Sequence, residues 1–432
     1  MRPIQVYLDS SDFSRFGEVI GGRGKPGDEQ LLLELEKLGE AGDVEYRYSY
    51  VHVAEAAPTT DNALHFAIER ADALMRLCGR RTLPPFMYLP LIGAAGAMFE
   101  PTISLPRDRL RFNGRSDHGQ WFNSFRDVFL DLTASVQELF HDPVKVAMEL
   151  DPGFTVNRAL RRKVKQKSSP KLMSKHFTRE LPALWPNFIE RARGEFPLSD
   201  ETSTFWQQHL IGRAPVEDVS RSLAHDLSDL PKLMHWLKPS GGPHLRDMPD
   251  WLRVSADRYK STIADAWARR GNEGKTLAAI LGKDKLQTLW NGSRESGLES
   301  FKETLRNAVR KIILEETNYI QELGLEQEAL NAFVDANWME AFPTQRVLAE
   351  AYIGIFEKNI SPFEQPRKLE KVSSDVGDIM HALYMPYVDI FRVDGFACQY
   401  LRTASALVNT ELVDKLEKLA PAIRKRLSEQ RK

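Results

Sequence analysis

Apolar positions recur with two different periods along this chain. Ile4 to Leu8 is a short β-rich run that stops at Asp9, and Ser10, Ser11 and Asp12 then offer the side-chain oxygens that begin a helix. Glycines between Gly17 and Gly27 break the pattern. Leucines 31, 32, 35 and 38 then return at helical spacing and predict an amphipathic helix from Glu29 to Glu40. Val44 to Val53 is dense in Tyr and Val and predicts a strand. Asn62 to Cys78 carries Ala63, Phe66, Ala67, Ala71, Leu74 and Leu77, a second helix face. Such alternation points to a parallel α/β sheet.

From about Pro101 the strand-like runs become scarce. Helical segments are predicted at Gln120 to Leu139, Thr155 to Lys167, Trp251 to Arg270 and Leu298 to Leu323, and every tryptophan lies between residues 121 and 338. Trp251 and Trp267 read as core. The last stretch returns to α/β character. Helices are expected at Thr344 to Lys358, Ser374 to Tyr384, Phe396 to Val408 and Thr410 to Ser428, with a short strand from Val388 to Val393. Asp389, at the start of that strand, reads as facing solvent. The expected organisation is an α/β domain split between residues 1–100 and 341–432, interrupted by a mainly α-helical insertion at residues 101–340.

Composition narrows this picture. The chain has 432 residues, room for two or three domains, and with 42% apolar and 28% charged residues it can bury a core. The formal net charge is -1, which excludes a uniformly basic binder and leaves local patches open. Cys78 and Cys398 are too few for a disulfide scaffold or a four-cysteine zinc site. The N-terminal run is too short for a signal peptide, and no apolar run approaches the ~20 residues of a membrane span. A cytoplasmic protein without a membrane partner is therefore expected.

The chemical signal lies in the carboxylates. Asp9 follows the first strand and Asp394 the last, and in an open parallel sheet ligands bind beyond the carboxyl ends of the strands. Glu55 follows the expected Tyr-rich strand. Asp375 and Asp378 share one face of a helix at i and i+3. A single Asp after a strand most often only caps a helix, so the argument rests on the set. Converging carboxylates repel unless cations neutralise them, and oxygen-only ligands select hard ions, Mg²⁺ or Mn²⁺. Such ions can activate water and stabilise charge in a phosphodiester displacement.

Asp9 in IQVYLDSSDF, Glu55 in YSYVHVAEA, Asp378 in SSDVGDIMHALYMPYVDIF and Asp394 in FRVDGFACQYL together resemble the four acidic motifs of PIN-domain nucleases. The offset from Ser49 to Glu55 is similar to the family's Ser-then-Glu motif, and Asp378 with Ala382 resembles its Asp-x-x-x-Ala helix. The likeness covers the two terminal pieces and none of the insertion. It implies a three-layer α/β/α PIN-like fold with a parallel central sheet. It also implies a metal-dependent nuclease in which Asp9, Glu55, Asp378 and Asp394 hold Mg²⁺ or Mn²⁺ and a metal-activated water attacks phosphorus. Asp375 competes with Asp378 for the third position and is kept as an accessory ligand; His381, one turn after Asp378, is expected either to contact a phosphate or to be a satisfied structural histidine, and is kept with Arg392 as an accessory residue. Arg392 and Val393 stand where the family often has Ser or Thr before its last Asp.

Between Asp151 and Glu180 no acidic residue interrupts Arg158, Arg161, Arg162, Lys163, Lys165, Lys167, Lys171, Lys175 and Arg179. In a nuclease this segment reads as a phosphate-backbone contact; otherwise it is a solvated helix face. GGRGKPG at 21–27 lacks the spacing of a phosphate-binding Walker loop, and no Gly-x-Ser-x-Gly hydrolase motif occurs. Two readings stand. One is an active nuclease on nucleic acid, RNA ahead of DNA, in a toxin-like or phage-defence role. The other is a catalytically inactive PIN-like scaffold that binds nucleic acid or a protein partner.

Overall fold

Four short strands run parallel in the order β2-β1-β3-β4. They are β1 (Ile4–Tyr7), β2 (Val44–Arg47), β3 (Ile390–Arg392) and β4 (Glu411–Val413). In this computed structural model residues 2–99, 121, 185–186, 189–190, 192–193, 197–210, 212–241, 243–360 and 368–431 are described. The mixed α/β class expected from sequence is present, with helices outnumbering strands. Ile4, Val6, Tyr46, Ile390 and Phe391 are fully or almost fully buried, as in a parallel sheet covered on both faces.

Helix α1 (Ser10–Ile20) leaves β1 and packs on α4 (Leu64–Cys78). It runs through Gly17 because the backbones come close there: a Cβ on Gly17 would lie 3.0 Å from Arg70 N. Helix α2 (Asp28–Glu40) matches the leucine pattern.

Three local expectations are corrected. The strand expected from Val44 to Val53 ends at Arg47, and Tyr50–Ala56 is a helix, α3. Ser49 starts it by donating its N–H to His52 Nδ1 at 3.1 Å, and burial of Val51 and Val53 outweighs their β preference. The helix expected from Thr410 gives way to β4, because pairing with β3 draws Glu411–Val413 into the sheet before helix Leu419–Gln430. Asp389 is buried, not solvent-facing: it accepts a two-pronged pair from Arg2 at 2.7 and 2.9 Å and the Gln5 N–H at 3.0 Å.

The contacts divide the chain into two units. The first comprises Met1–Pro58, Asn62–Trp121 and Asp247–Lys432; the second comprises Thr59–Asp61 and Phe122–Arg246. This division differs from the insertion expected at residues 101–340. Helices beyond residue 247 share the sheet's core: Leu252, Val309, Ile313, Leu330 and Val334 lie in one buried cluster with Tyr7, Phe391 and Leu401. In the second unit, helices Asp200–Leu210 and Val216–Leu227 pack on each other and bury Trp206 and Leu223, and helix Leu230–Leu237 buries Leu233 and Met234. There Asp226 Oδ2 accepts from Ser199 N at 2.8 Å and Thr202 Oγ1 at 2.6 Å.

Trp121, Trp185 and Trp206 are buried, whereas Trp251, expected in the core, is 42% exposed and stacks on Phe86. Cys78 and Cys398 are free and buried. Among the described residues no helix is long and apolar enough to cross a membrane.

Candidate functional site

The sheet order places β1 beside β3, with β2 reached on one side and β4 on the other, so the chain switches direction between the two central strands. A crevice beyond the carboxyl ends of the strands is expected at such a point. Asp9 and Asp394 stand there as N-caps. Asp9 Oδ1 accepts from Ser11 N at 2.7 Å, and Asp394 Oδ1 accepts from Ala397 N at 2.7 Å at the start of helix Gly395–Val408. Each cap uses one carboxylate oxygen.

Glu55 enters from α3 and meets helix Asp375–Ala382. His381, almost fully buried, places Nε2 3.0 Å from Glu55 Oε2 and 3.0 Å from Ser10 Oγ. Its Nδ1 lies 2.7 Å from Tyr7 Oη, which lies 2.6 Å from Ser49 Oγ. An ionised carboxylate only accepts, so the His381 Nε2–H donates to Glu55, and Nδ1 shares a hydrogen bond with the Tyr7 hydroxyl. Burial pushes the Glu55 carboxyl up, but His381 and Ser10 outweigh it and hold the group below its ordinary range. Behind this ring sits His52. Its Nδ1 accepts from Ser49 N and its Nε2 donates to Leu8 O at 2.8 Å. Burial, then the neighbouring His381, pull His52 down to about 3.

Asp378 is the electrostatically stressed member. Burial pushes its carboxyl well above the usual range, and the charges of Asp9, Asp394, Asp375 and Glu55 push it further, in that order. The four acids proposed from sequence therefore lie near enough to repel one another. They do not close on a point: among the described residues no three His, Cys, Asp or Glu side chains are grouped tightly enough to hold a metal ion. The donor set, all oxygen, and the mutual repulsion felt at Asp378 fit a hard divalent cation.

Asp375 is fully buried and accepts from Asn359 Nδ2 at 2.6 Å, with Tyr259 Oη 3.3 Å from the same nitrogen. Arg392 is buried against Asp12, Nη2 to Oδ1 at 2.6 Å, while Asp12 Oδ2 accepts from Asp9 N at 3.2 Å. Burial raises Asp12 to about 7 against the pull of Arg392. The nucleic-acid candidates Arg158, Arg161, Arg162, Lys163, Lys165, Lys167, Lys171 and Lys175 lie outside the described residues.

A cavity of about 180 Å³ opens beside Glu55, lined among others by Ser10, Ser14, His52 and Arg70. Arg70 donates to the main-chain oxygens of Glu55 at 3.1 Å and Phe66 at 3.3 Å. Sequence reasoning missed Tyr7, Ser10, His52 and Arg70 as parts of this site. Tyr7 carried a signal, being two residues before Asp9 on a period-2 strand; His52 carried another, standing three residues after Ser49 at capping distance. No protein-family model, curated protein or solved structure matches the chain.

Proposed function

We propose that this chain is a Mg²⁺- or Mn²⁺-dependent nuclease that hydrolyses phosphodiester bonds of RNA, on a three-layer PIN-like domain. The observation that carries the reading is the position of Asp378. Its half-buried carboxyl is burdened by Asp9 and Asp394 at the strand ends of a parallel sheet and by Glu55 and Asp375 on helices. Proteins accept such repulsion where function requires it, and a divalent cation relieves it.

Asp9, Glu55, Asp378 and Asp394 would hold the ion, Asp9 and Asp394 through the oxygens their caps leave over. A bound cation would supply charge neutralisation at phosphorus and a more acidic water. The chain's own groups do the rest. His381 and Ser10 orient Glu55, and Arg392 with Asp12 joins the end of β3 to the first turn of α1. Asp375 supports the helix that carries Asp378 through Asn359. Arg70 lines the cavity beside Glu55 and offers a cation to a strand phosphate. The segment from Arg158 to Lys175 is proposed as the wider phosphate contact, so Lys163→Glu/Lys167→Glu is expected to weaken binding and flatten its salt dependence.

A second reading, a scaffold that binds nucleic acid or a protein partner without cutting, is favoured by one observation: each of Asp9 and Asp394 already has a capping partner. The discriminating experiment incubates the full chain and Asp9→Asn/Asp394→Asn with Mn²⁺ and single-stranded RNA, structured RNA or single-stranded DNA. A nuclease cuts, and the double variant does not. Identical behaviour of the two proteins rejects the nuclease reading.

A further inference from the structure

Glu55 is held by a second feature of the Asp378 helix, and it involves a residue with no side chain. Gly377 precedes Asp378 and is buried in that helix. A Cβ built on it would overlap Glu55 Oε1 and lie 3.4 Å from Glu55 Cδ; apart from its chain neighbours and its own helix's backbone, nothing else among the described residues stands within 4 Å. One oxygen of Glu55 thus occupies the space a side chain at 377 would fill, and the other lies 3.0 Å from His381 Nε2. Residues 377 and 381 are separated by one helical turn and share a face.

We infer that Gly377 and His381 form a carboxylate cradle on the Asp378 helix, which seats Glu55 beside Asp378. Both are positioning residues for Glu55, and their relevance to catalysis rests on the nuclease reading above. A glycine inside a helix normally weakens it relative to alanine. At this position the missing methyl has a use, because it admits the carboxylate. The cradle also explains why Glu55 reaches this helix from α3: His381 supplies a donor, Ser10 a second one, and Gly377 the room.

The test is a double-mutant cycle on the full chain, read by thermal unfolding and by Mn²⁺ titration calorimetry. Gly377→Ala is expected to lower Tm in the wild-type background, since the methyl meets the seated carboxylate. In a Glu55→Ala background the same substitution is expected to raise Tm, since only the helix preference for alanine remains. Equal shifts in the two backgrounds overturn the cradle. Mn²⁺ affinity should fall at least tenfold in Gly377→Ala and recover in part in Gly377→Ala/Glu55→Asp, whose shorter side chain withdraws from the methyl; no recovery also counts against it. If the wild type neither binds Mn²⁺ nor cuts RNA, the nuclease reading fails, and the thermal cycle still decides the cradle.

Discussion

Arg392 Nη2 donates to Asp12 Oδ1 at 2.6 Å, and both side chains are buried. The pair ties the end of β3, two residues before Asp394, to the first turn of α1, three residues after Asp9. Nε and Nη1 of Arg392 are buried with no hydrogen-bond partner among the described residues, so the hydrogen bond to Asp12 is made through Nη2 alone.

Breaking that pair is therefore expected to cost more than replacing it. Asp12→Ala should lose about 3–5 kcal/mol in denaturant unfolding, because it leaves the buried guanidinium unpaired, and Arg392→Ala should lose less at neutral pH, because Asp12 then takes up a proton. Asp12→Leu/Arg392→Met should lie near wild type in stability. A double variant as unstable as the worse single one would show that the pair is itself a net stabiliser.

Asp378 should trade stability for function. Its raised carboxyl keeps a proton in the folded chain that the unfolded chain releases above about pH 4, so without metal stability falls as pH rises through that window. Asp378→Asn removes the effect. In EDTA at pH 8 the variant should melt above wild type, and added Mn²⁺ should raise Tm only in wild type. Its cleavage should fall by more than the roughly 10–100-fold expected of a supporting residue.

His52 governs acid sensitivity in the opposite sense. Burial holds it at about 3, whereas an unfolded histidine titrates near 6.5. Below that pH the unfolded chain takes up a proton the folded one refuses, so stability is complete above about pH 6.5 and is lost as pH falls toward about 3. His52→Gln should reduce the slope of unfolding free energy by about 1.4 kcal/mol per pH unit between pH 4 and 6. An unchanged slope would contradict the neutral, buried assignment.

Tyr7→Phe should isolate the hydroxyl that joins Ser49 to His381. The ring stacks on Phe391 at 5.1 Å and is retained, so packing survives while two hydrogen bonds disappear. A loss of about 1–3 kcal/mol in stability is expected, with His381 less well fixed against Glu55. Chemical unfolding measures the first, and cleavage rate the second.

What the sequence made legible was local. A β-rich run ending at Asp9, a second ending at Asp394 and a helix-period segment carrying Asp378 are each readable within about a dozen residues. β4 was not, because Glu411–Val413 becomes a strand only by pairing with β3. Tyr50–Ala56 misled because its valines favour strands in isolation and are helical here through burial. The cradle was least legible. Gly377 and Glu55 meet only after folding, and the sole trace was a glycine inside a helical run. The charge balance of -1 likewise concealed an acidic cluster that distance along the chain disperses.

The central claim is that these carboxylates converge on a divalent cation. Anomalous diffraction from crystals soaked in Mn²⁺ tests it most directly. A Mn²⁺ peak is expected, bound by Asp378 and Glu55, with Asp9 or Asp394 turned toward it. Crystals saturated with Mn²⁺ that show no peak among these four residues would contradict it.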